Sequence, residues 1–372
     1  MDILMIKYVV PKAKMLKPKL YGMIIGGALT AVLVMSACAS KPQREVSDKE
    51  AVVESLAVSL EENFVFPGIG EKYAHYLRNN PLQNIDEMSP KQFASALTSG
   101  LQQVHKDAHL RVMPPNDTPE QAQVDEKTSS PLPVDSIEAT MWLAPNIAYI
   151  RFNLFPGDTK TLQTLDTFIK VHENAKTLII DVRGHRGGGL AEMDAMFSHM
   201  FFEPKDLAYM ETRQAVDDAG ASPVKDGKTV KTIKGPKGVV RRKHMAIPHS
   251  VPLMLDTEIY ILTSGYTASA AEHLSMVMKR TKRGVVVGEN TRGGAHYGGT
   301  IDLANGYAAF VPVGRTFNPD TQKDWEGVGV APDIQTSSEQ ALITALLNVG
   351  MSDEEALKID RLLNYKSPAR PK

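Results

Sequence analysis

Between residues 50 and 63 the apolar side chains Val52, Val53, Leu56 and Leu60 recur at intervals of three and four, the spacing that lines one face of a helix. Amphipathic stretches follow over 72–78 and 90–104, the second opening on Ser89, Pro90 and Gln92, a good helix start. Residues 50–112 are therefore expected to form a small helical N-terminal domain. It ends in Asp107-Ala108-His109-Leu110-Arg111-Val112, whose alternation predicts a short strand. Residues 113–134 read as a linker dominated by Pro, Asp, Asn, Gln, Thr and Ser.

Beyond the linker the period changes. Short β-branched and apolar runs over 147–152, 177–182, 258–263 and 285–287 suit strands, those at 177–182 and 258–263 buried in a parallel sheet. Helical patterns over 158–173, 190–200 and 270–279 alternate with them. The fold class is thus α/β, a layered arrangement over 135–340, with residues 341–372 as a helical tail. Residues 211–250, rich in Lys, Gly and Asp, interrupt the alternation and are expected to form an exposed hairpin or flap.

Charge and composition narrow the function. The 372 residues are 42% apolar and 23% charged with a net charge of −1, which argues against nucleic acid as a main partner. Five lysines between Lys7 and Lys19 precede an uncharged apolar run over 21–40. Such a run suits either a membrane-spanning helix or the apolar core of a signal peptide. It ends in Leu33-Val34-Met35-Ser36-Ala37-Cys38, which resembles a bacterial lipobox, with Met where Leu is commoner. The expectation is a leader over 1–37, lipidation at Cys38, a polar tether over 38–49, and an envelope location on a lipid anchor. Met15 offers an alternative start. Cys38 is the only cysteine, so cysteine nucleophiles, disulfides and thiolate metal sites are excluded from the folded body.

Three strings carry candidate chemistry. The run over 258–263 feeds into Thr267-Ala268-Ser269-Ala270-Ala271-Glu272. A serine at the first turn of a helix either caps it or acts as a nucleophile, because free N–H groups there stabilise negative charge. Asp181-Val182-Arg183-Gly184-His185-Arg186-Gly187-Gly188-Gly189 follows another buried run, and its glycines suit an oxyanion hole, a phosphate loop or a simple turn. Neither a Walker pattern nor a dinucleotide fingerprint is present. The third is Thr291-Arg292-Gly293-Gly294-Ala295-His296, ahead of Trp325-Glu326-Gly327-Val328-Gly329-Val330-Ala331-Pro332-Asp333. His105 and His109, four apart, would share a helix face as zinc ligands, but no third ligand accompanies them.

In this order the strings resemble the tail-specific, or C-terminal processing, protease family, which has a ClpP/crotonase-like catalytic core. The glycine string is similar to that family's Asp-Leu-Arg-x-x-x-Gly-Gly and the serine string to its Thr-x-Ser-Ala-x-Glu. No stretch resembles a PDZ domain. Gly294 stands where the Ser/Lys branch has its base, and Lys279 and Lys282 lie two or more helical turns beyond Ser269. The strings around His296 and Trp325 are closer to the branch of the tricorn core and the interphotoreceptor retinoid-binding protein.

That second resemblance implies Ser269 as nucleophile, His109 as base and Glu326 as the acid that orients it. It also implies an oxyanion hole from the N–H of Ala270 and of Gly187 or Gly188. Peptide or protein substrates follow, with no cofactor and no metal, while oligomeric state stays open. His185 and His296 are rival bases, Glu272 is a rival acid, and His273 is expected to face solvent. A non-catalytic binding protein for a lipid or other apolar ligand is the alternative on the same fold.

Overall fold

The structure is a computed structural model that describes residues 48–115 and 135–366. The expected leader, Cys38, the tether up to 47 and most of the linker lie outside the described residues. Among the described residues, no helix is long and apolar enough to cross a membrane.

The helical pattern near the start gives α1 (Asp48–Asn63), α2 (Pro67–Asn79) and α3 (Pro90–Val104). Helix α3 begins as its sequence predicts: the Ser89 hydroxyl accepts the Gln92 N–H, and the Gln92 side chain accepts the Ser89 N–H. These helices do not enclose a core of their own. Leu56, Leu60, Phe64, Phe93 and Leu101 share one cluster with Leu110, Tyr307, Val311 and Val313. Leu110 lies in the turn before strand β1 (Arg111–Met113), and Tyr307, Val311 and Val313 lie at or in the later strand with which β1 pairs.

After the linker come β2 (Ile137–Ala144), β3 (Ile147–Phe152), α4 (Thr159–Val171), β4 (Thr177–Asp181), α5 (Ala191–Met200), β5 (Lys205–Arg213), α6 (Gln214–Asp218), β6 (Val230–Ile233) and β7 (Val239–Ala246). Next are β8 (Glu258–Thr263), α7 (Ala270–Thr281), β9 (Val285–Gly288), β10 (His296–Asp302), β11 (Ala308–Phe317), β12 (Ile334–Gln335), α8 (Ala341–Asn348) and α9 (Asp353–Leu363). The strands form two six-stranded sheets. One runs β12-β9-β8-β4-β3-β2, parallel except for the edge strand β2. The other runs β1-β11-β5-β7-β6 with β10 also on β11, and is antiparallel throughout.

The unbroken apolar runs of β4 and β8 have a direct cause. Leu178, Ile180, Ile259 and Ile261 enter the cluster under α4, α5 and α7, while Ile179, Tyr260 and Leu262 enter the one under α8 and α9. Both faces of this sheet are covered, so the central positions of β4 and β8 are apolar on both sides. Adjacent parallel strands also send their C-terminal loops to one edge, where α/β proteins place their sites. The serine string leaves β8, the glycine string leaves β4, and β4 pairs with β8.

Residues 211–250 are not a free flap. β5, β6 and β7 lie within the antiparallel sheet, with His244 and Ala246 buried and Arg242 paired to Asp217 and Asp226. The abundant lysines obscured that alternation. Strands β10 and β11 are not among the runs the pattern predicts; Gly298, Gly299 and Pro312 lie within them, and β10 carries its irregularity between Tyr297 and Gly298.

Candidate active site

The turn from β8 into α7 is fastened to the turn that leaves β4. Thr267 Oγ1 donates to the Val182 carbonyl at 2.8 Å, Ser264 Oγ to the Arg183 carbonyl at 2.6 Å, and the Ala268 N–H to the His185 carbonyl at 3.0 Å. Asp181 and Arg183 anchor the glycine string. The fully buried guanidinium grips Asp181 at 2.7 and 2.9 Å and the Ser338 carbonyl at 2.7 Å. Burial alone would raise the Asp181 pKa, but the Arg183 charge and hydrogen bonds hold it at about 2.

Ser269 sits immediately before α7 with φ 54° and ψ −115°, a left-handed backbone that a side-chain-bearing residue adopts only when its surroundings enforce it. The enforcing group is Glu272. Its fully buried carboxylate accepts the Ser269 N–H at 2.7 Å and the Gly294 N–H at 2.8 Å on Oε2. On Oε1 it accepts the Thr291 hydroxyl at 2.6 Å and the Gly293 N–H at 2.7 Å. Burial raises the Glu272 pKa above the usual carboxylate range, and these four donors oppose that rise. All four acceptor positions are spent on holding the serine turn and the 291–294 loop together, so Glu272 is a clamp and not the partner of a histidine.

The glycine string lies across from Ser269. A Cβ on Gly187 would stand 2.9 Å from Ser269 Cβ and 3.3 Å from its Oγ, so only glycine permits this approach. The Gly187 N–H is already given to His185 Nδ1 at 3.0 Å, which removes it as an oxyanion donor. Gly188, at φ +131°, is the other candidate, and a Cβ there would lie 2.1 Å from the Phe155 carbonyl oxygen. The N–H groups of Gly188 and Ala270 have no acceptor among the described residues. These two donors remain for a developing oxyanion.

His109 reaches the site from the turn before β1. Asp107 Oδ1 accepts the N–H of His109 at 2.9 Å and of Leu110 at 3.1 Å, which fixes the turn. The ring packs beside Phe310, with centroids 5.9 Å apart. A Cβ on Gly294 would come within 2.8 Å of His109 Cε1 and 3.2 Å of Glu272 Oε2. The imidazole therefore occupies the space that a lysine at 294 would enter. Burial lowers the His109 pKa, opposed by the charges of Glu326 and Asp107, so the ring is neutral at pH 7. The Ser269 hydroxyl and His109 make no direct hydrogen bond, and His109 Nδ1 has no partner among the described residues.

Glu326 holds the backbone instead of the ring. Its Oε1 accepts the Ala108 N–H at 2.8 Å, and Oε2 accepts the N–H of Ala295 at 2.7 Å and of His296 at 3.0 Å. The direct orienting contact to His109 expected from the sequence is thus replaced by a backbone clamp beside it. His296 pairs with Asp107 Oδ2 through Nδ1 at 2.6 Å. Burial disfavours its charged form, yet the Asp107 hydrogen bond and charge raise its pKa above the ordinary value. Asp107, His296 and Glu326 bring ligand-type atoms within 4.8 Å of one another, and the carboxylates and His296 Nδ1 already hold hydrogen bonds there, while His296 Nε2 is buried without a partner among the described residues.

Other candidates fall into structural roles. His185 is fully buried with its pKa pushed down by burial and by Arg186 to about 3, and it orders Gly187. Helix α3 ends at Val104, so His105 and His109 share no helical face and the zinc spacing dissolves. Lys279 is spent on the Ala331 carbonyl at 2.8 Å and on Asp333 at 3.1 Å. His273 is buried and not solvent-facing: its Nε2 lies 3.2 Å from His244 Nδ1, and His244 Nε2 lies 2.7 Å from Asp194. Its place one turn from Ser269 suggested exposure, but β7 covers it through His244.

A profile of peptidase family S41 matches residues 146–336, just over half of the chain. A C-terminal processing peptidase of the chloroplast from Tetradesmus obliquus is 26% identical over 194 residues, 52% of this chain and 36% of the relative. The match thus spans about a third of that relative's own length. Among solved structures, the photosystem II D1 C-terminal processing protease aligns with a TM-score of 0.53 at 15% identity, covering 86% of this chain and 98% of that one. A Parabacteroides merdae protein described as a peptidase aligns at 0.58 and 18% identity, covering 82% and 96%. These two show a shared fold. Together with the profile match over β3 to β12, they place the chain: it belongs to peptidase family S41.

Proposed function

We propose that this chain hydrolyses peptide bonds of envelope polypeptides by a serine mechanism. Ser269 Oγ attacks the scissile carbonyl while His109 takes its proton, and His109 then protonates the leaving amine. The N–H groups of Ala270 and Gly188 receive the oxyanion. Glu326 acts on His109 through its field and through the Ala108 N–H. Water then releases the acyl group with His109 again as base. Cys38, as a lipid attachment point, would hold the enzyme at the envelope.

The observation that carries this reading is the Gly294 position. Its N–H shares Glu272 Oε2 with the Ser269 N–H, while its α-carbon abuts the His109 ring. Nucleophile turn and base are tied to one residue. The test is labelling with a fluorophosphonate probe. Wild type is expected to be labelled, and Ser269→Ala and His109→Ala are not; equal labelling of wild type and Ser269→Ala would overturn the reading.

A cavity of about 360 Å³ lined by Ala215, Val216, Ala219, Ile301 and Val313 favours the second reading, a binding protein for an apolar ligand. Lipid released by solvent extraction of purified protein, with no probe labelling, would select it.

A further inference from the structure

The C-terminal helix ends over the arginine of the glycine string. Helix α9 packs Ala356, Ile359 and Leu363 into the cluster on its face of the parallel sheet. It stops at Asn364, whose left-handed backbone (φ 42°) lets its N–H donate to the Asp360 carbonyl at 2.9 Å and turns the chain back. The next residue is Tyr365. Its half-buried ring lies on the Arg183 guanidinium, whose Cζ is 3.6 Å from the ring centroid. Arg151 Cζ lies 5.4 Å from the same centroid.

Different groups serve the edge and the face of the buried Arg183. Along its edge, Nε and Nη2 donate to Asp181, and Nη1 donates to the Ser338 carbonyl. Asp181 is itself shared, since Oδ2 also accepts the Tyr149 hydroxyl at 2.6 Å and Arg151 Nε at 3.2 Å. Where water is excluded, an aromatic ring stabilises the flat face of a guanidinium. Tyr365 supplies that ring. What Arg183 holds in turn is the site. Its carbonyl accepts Ser264 Oγ at 2.6 Å, beside the Val182 carbonyl that accepts Thr267 Oγ1, so it seats the turn that presents Ser269. The same stretch of chain runs on into Gly187 and Gly188. Ser338 joins the serine turn by a second route, because Glu289 accepts both the Ser338 N–H at 3.3 Å and the Gly265 N–H at 3.1 Å.

We propose that Tyr365 is a positioning residue of the active site: by stacking on Arg183 it fixes the turn after β4, and with it the Ser269 hydroxyl and the Gly188 N–H. The proposal rests on the Ser269/His109 reading. It gives the tail beyond residue 336, where the family match ends, a part in the reaction besides covering the parallel sheet.

The experiment compares Tyr365→Phe, Tyr365→Leu and Tyr365→Ala in the full chain. Labelling by the fluorophosphonate probe is followed over time, so that the endpoint counts active sites while the saturating rate and the half-saturating probe concentration are read separately. Phe keeps a ring over the guanidinium and should hold the saturating rate within about twofold of wild type. Leu fills much of the space without an aromatic face, and Ala leaves it open. Both should lower the rate per active site about tenfold with little change in half-saturation, because the loss falls on the transition state. The acid limb of the labelling rate should stay in place, since the stack does not touch His109. A merely structural role would lower the melting temperature of the Leu and Ala variants and leave the rate per active site intact; that result overturns the proposal. So does a wild-type rate in Tyr365→Leu, or a loss in Tyr365→Phe as large as in Tyr365→Ala. Tyr365→Leu decides the matter if the alanine variant does not fold. Failure of the catalytic reading is seen separately, as labelling of Ser269→Ala equal to that of wild type.

Discussion

Glu272 Oε2 accepts the N–H of Ser269 at 2.7 Å and that of Gly294 at 2.8 Å, so one buried oxygen joins the serine turn to the loop that abuts His109. The left-handed backbone at Ser269 is held by this contact and by the seating of the turn on Val182 and Arg183.

Replacing Glu272 with Gln should be costly despite its near-identical shape. The amide keeps one oxygen for two of the four donors and turns an NH₂ toward the others. The expected destabilisation is about 3 kcal/mol, as for other buried groups left facing like donors. Probe labelling of Ser269 should be slower by about a hundredfold, the scale at which small displacements of a reacting group act. Urea unfolding and labelling rates measure the two effects. Wild-type stability in Glu272→Gln would show that the clamp does not hold the turn.

Gly294 tests the base from the other side. Its backbone is not in the left-handed region, so Gly294→Ala is not strained by φ; the added methyl meets His109 Cε1 at 2.8 Å. The ring must shift, and kcat should fall by about tenfold to a hundredfold with little change in melting temperature. Gly294→Lys should be no better, since its stem enters the same space. Recovery of activity with lysine would instead assign a Ser/Lys site.

Burial sets the acid limb of the pH profile. His109 works as a neutral base, and its lowered pKa keeps it neutral to a lower pH than an exposed imidazole. Activity is therefore lost only as pH falls through that lowered value, and kcat/KM should inflect below about 6.5. The Glu326 charge opposes the lowering, so Glu326→Gln should move the inflection further toward acid. A shift toward alkali in that variant would exclude His109 as the titrating base.

The Asp107–His296 pair gives stability a pH dependence of its own. The His296 pKa is raised in the fold, so its contribution is complete below about pH 6.5 and is lost as pH rises through the raised value. The Asp107 pKa is lowered despite burial, chiefly by His296, so its share is complete above about pH 4 and is lost as pH falls through the lowered value. Asp107→Asn should cost about 3 kcal/mol in the window between, the scale for breaking a buried pair. The gap to wild type should narrow toward alkaline pH. Chemical unfolding over pH 5 to about 9 reads it directly.

Much of this arrangement was legible because local patterns caused it. β4 and β8 are unbroken apolar runs buried on both faces, and the strings that leave them lie side by side because parallel neighbours expose the same ends. What stayed hidden depends on contacts between distant segments. Nothing in the 211–250 composition shows that His244 is fully buried against His273, because the lysines on the outward positions mask the inward alternation. Nor does spacing show that Glu326 grips Ala108, 218 positions away, through the backbone and not through the His109 ring. The use of the Gly187 N–H was also out of reach, since it turns on the rotamer of His185 two residues before it.

That rotamer supplies a further test. Because His185 Nδ1 accepts the Gly187 N–H at 3.0 Å, the neutral ring carries its proton on Nε2. With its pKa pushed down to about 3, the ring stays neutral wherever the enzyme folds and works. His185→Ala leaves the Gly187 N–H without its acceptor and loosens the packing on Phe155, whose ring centroid is 4.2 Å from the imidazole. The Gly188 donor should then be less well placed, lowering kcat by about tenfold to a hundredfold, with KM little changed because the loss falls on the transition state. His185→Asn offers a carbonyl oxygen at a similar reach and should restore part of kcat. Neither variant should move the acid limb, because a ring that does not titrate there cannot shape it. If the limb shifts with His185→Asn while kcat holds, His185 is taking part in proton transfer, and the base must be reassigned to it.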